Sequence, residues 1–287
     1  MKRKGILLAG GTGSRLFPAT LAVSKQLLPV YDKPMVYYPL ATLMHAGIRD
    51  IAVITTPDDQ AAFQRLLGDG STWGLSLTWL VQPRPEGLPQ AYTLAEGFLA
   101  GSPSALVLGD NLFFGASLGP QVERAPLGGA TVFAARVRDP ERYGVLVLDD
   151  GRVVDMVEKP ADPPSPWALT GLYLLDGTAP ARAATLRPSA RGELEITDLL
   201  RTWLDEGALG VEQLGRDVAW LDTGTPDALL DAASWVRTLT VRQDTVVACL
   251  EEIALARGWI DTDDVLERAD RLGPTAYARY LRSLVHR

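Results

Sequence analysis

The feature that most limits what this chain can fold into is the alternation of short apolar runs with helical patterns through its N-terminal part. Residues 5–9, 51–55, 75–81 and 105–108 are apolar runs of strand length. Between them, residues 34–46, 60–67 and 89–100 carry helical spacing, with Pro34 suited to a first helical turn. Parallel strands need long crossovers, and strands that read as continuous apolar runs are covered on both faces. The alternation therefore predicts a mostly parallel sheet with helices on both faces.

The middle of the chain differs. Residues 131–138, 144–148, 153–158 and 169–175 read as strands without helices between them, and Asp149-Asp150-Gly151 is a hairpin turn signal. Residues 160–166 are Pro-rich and read as a surface loop. A helix over 195–204 and a strand over 218–221 follow, and from residue 226 onward the chain reads as helix after helix without a new sheet. With 287 residues a sizeable core can be buried. The expected organisation is a Rossmann-like α/β core over 1–240 that includes a strand-rich insertion for a second substrate. A helical C-terminal part over 241–287 would serve assembly or regulation.

The net charge of −7 disfavours nucleic acid and acidic membrane surfaces as partners, while leaving room for a local phosphate site. Cys249 is the single cysteine, so no internal disulfide forms, as expected for a reducing cytoplasm. Met1-Lys2-Arg3-Lys4 is charged like the start of a signal peptide, but the apolar run over 6–9 stops at Gly10-Gly11, too short for one. No stretch is long and apolar enough to span a bilayer as a helix. With His45 and His286 the only histidines, chemistry on a His base or a His-rich metal centre is disfavoured.

The first apolar run leads into Gly10-Gly11-Thr12-Gly13-Ser14-Arg15-Leu16. Glycines let a backbone turn sharply and bring its N–H groups close to a ligand, and a turn at the carboxyl end of a parallel strand is a usual nucleotide position. Thr12 and Ser14 offer hydroxyl donors, Arg15 a forked cation, and Lys25 reaches the same phosphates if the segment folds back. No glycine is followed by lysine, which excludes a P-loop, and Leu16 stands where a dinucleotide fingerprint needs a glycine. By spacing alone the loop is equally a ligand-free turn. Asp110 and Asp222 each follow an apolar strand, where they either hold a hard cation such as Mg2+ or simply cap a turn.

The segment 8–16, with Pro18, Thr20 and Ser24-Lys25-Gln26-Leu27-Leu28-Pro29, resembles the signature of sugar-nucleotide pyrophosphorylases. The similarity continues through Val107-Leu108-Gly109-Asp110-Asn111, Arg142-Tyr143-Gly144-Val145, Glu158-Lys159-Pro160, residues 191–198, residues 220–225 and Glu251-Glu252-Ile253-Ala254. It covers nearly the whole chain, and the closest match is to the branch that couples dTTP to glucose 1-phosphate.

The resemblance implies a set of roles. Leu8, Gly10, Gly11, Gly13, Ser14, Arg15, Lys25, Gln26, Gln82 and Gly87 would bind the nucleotide. The Gln82 amide has the donor and acceptor that a thymine or uracil edge needs. Gly144, Glu158, Lys159, Leu169, Tyr173 and Arg191 would bind the sugar phosphate, although Glu158 and Lys159 also read as a solvated charge pair. Asp110 and Asp222 match magnesium ligands, and Arg15, Lys25 and Lys159 would be catalytic. The reaction expected is attack of the sugar 1-phosphate on the α-phosphorus with loss of pyrophosphate, without a protein base or covalent intermediate.

Family members are commonly tetramers, and many are inhibited by a dTDP-sugar such as dTDP-rhamnose at a site between subunits. Phe113-Phe114-Gly115-Ala116-Ser117, Asp217-Val218 and Leu250 depart from the family pattern near that region. Two other readings remain at this stage: a UTP-using enzyme, and a non-catalytic protein on the same fold. The second is opposed by the presence of Arg15, Lys25, Asp110, Lys159 and Asp222.

Overall fold

The computed structural model describes residues 2–11, 13–243 and 246–286. Thr12, with the hydroxyl expected of it, lies outside the described residues. The first half contains β1 (Lys4–Ala9), β2 (Pro29–Val30), β3 (Lys33–Pro34), α1 (Tyr37–His45), β4 (Asp50–Thr55), α2 (Gln60–Leu67), β5 (Ser76–Val81), α3 (Gln90–Leu94), α4 (Glu96–Leu99), β6 (Ser104–Leu108), β7 (Asn111–Phe114) and α5 (Leu118–Arg124). Then come β8 (Ala130–Arg136), β9 (Gly144–Asp149), β10 (Arg152–Glu158), β11 (Trp167–Leu175), α6 (Ala179–Ala183), α7 (Ile196–Leu204), β12 (Leu209–Gln213) and β13 (Ala219–Asp222). Four helices close the chain: α8 (Pro226–Gln243), α9 (Leu250–Ala256), α10 (Thr262–Arg271) and α11 (Ala276–Leu284).

The parallel strands stand in the order β5-β4-β1-β6. The chain moves outward from β1 through β4 to β5 and then returns to place β6 on the other side of β1. The crevice at the carboxyl ends of β1 and β6 is thus a topological switch point, where open α/β sheets bind ligands. Along β1, Leu7 and Ala9 enter one core with α1 and α9, while Ile6 enters the opposite core with α3 and α7. Both faces of the sheet are covered, as the continuous apolar runs predict.

The strand-rich insertion extends this sheet instead of standing apart from it. β11 runs antiparallel to β6, and β8, β9, β10 and β12 build outward from β11 and β8. Asp150 and Gly151, both at positive φ, make the tight turn between β9 and β10. β7 and β13 pair with each other in a separate two-stranded sheet.

Two helices differ from expectation. Pro34 is not in a helical first turn: it pairs with Pro29 in the β2–β3 hairpin, held by bonds from Met35 N to Leu28 O and from Val36 N to Gln26 O, both 2.9 Å. α1 begins only at Tyr37. The helix expected over 89–100 is two, broken at Ala95. α8 runs through residue 240, and α9 contributes Leu250, Ile253 and Ala254 to the main core.

Candidate active site at the switch point

Four side chains converge where the strands end. Lys25, on a single 3-10 turn over Lys25–Leu27, donates to Asp110 Oδ2 in a largely buried ion pair. Asp110 leaves β6 two residues past its end, and its second oxygen accepts from Asn111 Nδ2 at 3.0 Å. Asp222 is brought beside it by the β7–β13 pair, in which Asp222 stands opposite Asn111. Thr223 secures this register, its backbone N–H and hydroxyl both donating to Asp110 O at 3.1 and 2.8 Å. Arg15 packs against Gly224, where an added Cβ would meet its guanidinium at 2.8 Å.

The charges couple. Burial pushes the Asp110 carboxyl up, but the Lys25 charge and the hydrogen bonds from Lys25 and Asn111 outweigh it and hold Asp110 below the usual carboxylate range. Asp222 is raised by burial and by the Asp110 charge, against the pull of Arg15, Lys25 and Arg142. A carboxyl with a raised folded-state pKa costs stability above that pKa. The cost vanishes once pH falls below the unfolded-state value and grows as pH rises through the folded one. Asp222→Asn therefore raises the melting temperature relative to the parent at pH 7 in chelator, and the difference shrinks toward pH 4. Differential scanning calorimetry across that range checks it.

Two cavities meet at Asp110. One, of about 210 Å³, is lined by Leu8, Gly10, Gly11, Lys25, Gln26, Gln82 and Gly87 among others. Gln26 is fully buried, accepting from Ser24 Oγ at 2.5 Å and donating to Gly10 O at 3.3 Å. The Gln82 carbonyl packs where a Cβ on Gly10 would stand, and its amide donates to Gln90 Oε1 at 2.7 Å. Gly87 has φ +111° and bridges Leu194, whose backbone occupies the space of any Cβ there. That contact ties the loop after β5 to the segment carrying Arg191.

The second cavity, about 570 Å³, is lined by Arg15, Gly144, Glu158, Lys159, Leu169, Tyr173, Arg191 and Asp222 among others. Glu158 stands opposite Gly144 in the β9–β10 pair and accepts from Thr197 Oγ1 at 3.3 Å. Burial raises its carboxyl even with Lys159 and Arg191 beside it. Lys159 lies 3.8 Å from Glu158 and takes a positive φ of 41°. Arg191 is shared among Glu158, Glu193 and Glu195 at 3.7, 3.2 and 3.4 Å. Burial also pushes the Tyr173 phenol far up.

Of the residues expected at the site, Gly13 and Ser14 belong to neither cavity wall. Gly13 instead lets the loop fold back: its carbonyl accepts from Thr20 Oγ1 at 2.8 Å, and a Cβ would meet Lys25 Cβ at 3.4 Å. Sequence reasoning gave Asn111 no role. Its Oδ1 accepts from Gly171 N at 3.0 Å and Trp220 Nε1 at 2.6 Å, joining β7, β11 and β13 around Asp110. The Asp-Asn pair after an apolar strand was the only available signal. Arg142, Tyr143 and Trp220 also line the second cavity.

The Asp110 and Asp222 carboxylates fit a divalent ion by the chemistry of their donors. They are hard oxygen donors from two strand ends, and their mutual repulsion is what an ion between them would relieve. Among the described residues no group of three or more His, Cys, Asp or Glu could hold a metal. Remaining ligands would have to come from water or substrate, as is usual for Mg2+.

A strand-end Gly-rich loop, a cation-flanked carboxylate pair and two adjoining cavities are the equipment of phosphoryl-group transfer, and the chain belongs to the nucleotidyl transferase family, whose profile matches residues 4–238. It is a transferase of the kind that works with a divalent metal. Among its relatives is a glucose-1-phosphate thymidylyltransferase from Xanthomonas campestris pv. campestris (strain B100), 55% identical over 289 residues, covering 100% of this chain and 98% of that protein. Proteins of the same name from Neisseria gonorrhoeae and Mycobacterium tuberculosis (strain CDC 1551 / Oshkosh) are 55% and 48% identical, each covered to 99% by 98% and 99% of this chain. A crystal structure from Bacillus anthracis, described as a glucose-1-phosphate thymidylyltransferase in complex with a sucrose, is 39% identical with a TM-score of 0.77, over 82% of this chain and 96% of that one. A UDP-glucose pyrophosphorylase complexed with UDP-glucose, 24% identical with a TM-score of 0.73 over 83% of this chain and 99% of that one, shares the fold. No described helix is long and apolar enough to cross a membrane.

Proposed function

We propose that the chain converts dTTP and glucose 1-phosphate to dTDP-glucose and pyrophosphate. The observation that carries this reading is the meeting of Lys25, Asp110 and Asp222 at the boundary of two cavities, with Arg15 beside them. The smaller cavity takes the nucleotide, with Gln82 against the base, and the larger takes the sugar phosphate, with Glu158 accepting sugar hydroxyls. Mg2+ held by Asp110 and Asp222 would supply charge neutralisation on the nucleotide phosphates.

The chain's own residues do the rest. Lys25 and Lys159 bring two mutually repelling phosphates together, and Arg15 meets the charge that develops on departing pyrophosphate. The sugar phosphate is already ionised near neutral pH, so it attacks without a protein base. Incubating the protein with glucose 1-phosphate and dTTP, UTP, ATP or GTP tests the assignment. dTDP-glucose forms fastest under this reading, and a clear preference for UTP defeats it.

The division at residue 240 remains part of the proposal, with 241–287 serving a homotetramer. A further cavity of about 500 Å³ lies between Phe113–Ala116 and Val246–Cys249, beside Glu252 and Arg257. It is the candidate for a feedback dTDP-sugar, and one of the departures in sequence, at Phe113, Phe114, Gly115 and Ala116, falls on its wall, whereas Asp217, Val218 and Leu250 do not line it. Inhibition by dTDP-rhamnose is accordingly weak, which a dose–response curve measures.

A further inference from the structure

We infer that Arg142 is a phosphate-binding residue for the sugar 1-phosphate, lining the larger cavity together with Lys159. Arg142 ends the single 3-10 turn Pro140–Arg142 that leads into β9. Two contacts aim its guanidinium. Nη1 donates to Asp139 Oδ2 at 2.6 Å, and the guanidinium carbon stands 5.4 Å from the Tyr143 ring centre. Tyr143 in turn packs edge-on against Trp220 at 5.0 Å, and Trp220 is tied to the Asn111 hub beside Asp110. The cation, though exposed, is therefore braced at the rim of the site.

Its other nitrogen, Nη2, faces Asp222 Oδ2 at 3.8 Å, beyond hydrogen-bond distance. This inference rests on the reading of Asp222 as a cation ligand. A divalent ion on Asp222 leaves Arg142 facing a neutralised carboxylate and a like charge. The partner that then suits a forked guanidinium is an anion able to take two parallel N–H bonds, which a phosphate does. Arg142 lines the larger cavity beside Gly144 and Glu158, the one given above to the sugar phosphate, and does not line the smaller one. A plain surface pair with Asp139 would explain one of these contacts and not its direction toward Asp222.

The test measures equilibrium binding of glucose 1-phosphate, dTTP and inorganic phosphate to the full chain and to Arg142→Gln, Arg142→Lys and Asp139→Asn. Arg142→Gln weakens glucose 1-phosphate about 10- to 100-fold, the loss of one charge-assisted contact, with dTTP affinity unchanged. Arg142→Lys recovers part of the loss, and Asp139→Asn, which keeps the cation but loosens it, gives a smaller loss of the same kind. Unchanged glucose 1-phosphate affinity in Arg142→Gln overturns the inference. So do equal losses for both substrates with a lowered melting temperature, which mark a structural role. If the parent chain binds no glucose 1-phosphate, the functional reading itself fails, and the inorganic phosphate arm then decides on Arg142 alone.

Discussion

Arg15→Ala slows the chemical step by about two to three orders of magnitude, the cost of removing one preorganised charge stabiliser. Arg15 is exposed, sits over Gly224 and helps offset the charge on Asp222, so its cation is aimed at the carboxylate pair without being consumed by it. The fold does not depend on this side chain. The loop around it is held by Thr20 on Gly13 and by 3-10 turn bonds from Leu16 and Phe17. The melting temperature is therefore retained while the single-turnover rate collapses. A near-parental rate in rapid-quench measurements contradicts the role assigned to Arg15.

Asp110→Asn has a larger effect, lowering the rate by about three orders of magnitude or more, because a Lewis-acid site is worth several kcal/mol of transition-state stabilisation. It also differs in kind from Asp222→Asn. Asp110 is the partner of a largely buried Lys25, and removing its charge strands that cation. Stability therefore falls in Asp110→Asn and rises in Asp222→Asn, although both lose affinity for the divalent ion. Metal titration followed by calorimetry, run beside thermal unfolding of both variants, separates the two. A pair of variants with identical melting behaviour, or with parental metal affinity, contradicts the assignment.

These side chains show what a linear reading can and cannot reach. The apolar runs at β1, β4 and β6 declared a covered parallel sheet because burial on both faces leaves no polar alternation to hide them. The Asp150-Gly151 turn was equally legible, since its positive φ angles need such residues. β7 was not. It begins three residues after β6 ends, and its partner β13 lies more than a hundred residues on, so no local pattern marks where one strand stops and the next starts. Yet that pairing is what sets Asp222 beside Asp110. Asn111 and Arg142 share the difficulty: each acts through contacts made only once distant strands have docked. Pro34 misled for the converse reason. A proline suited to a helix start sits equally well in a hairpin when the backbone bonds from Met35 and Val36 turn the chain toward Lys25.

The residue roles above all serve metal-dependent transfer between two phosphate substrates at one switch-point site. Pyrophosphate release from dTTP and glucose 1-phosphate, with Mg2+ and then with chelator, tests it most directly. Stoichiometric pyrophosphate and dTDP-glucose form with Mg2+, and neither product forms when the ion or the sugar phosphate is withheld. Pyrophosphate released at the same rate without either would contradict it.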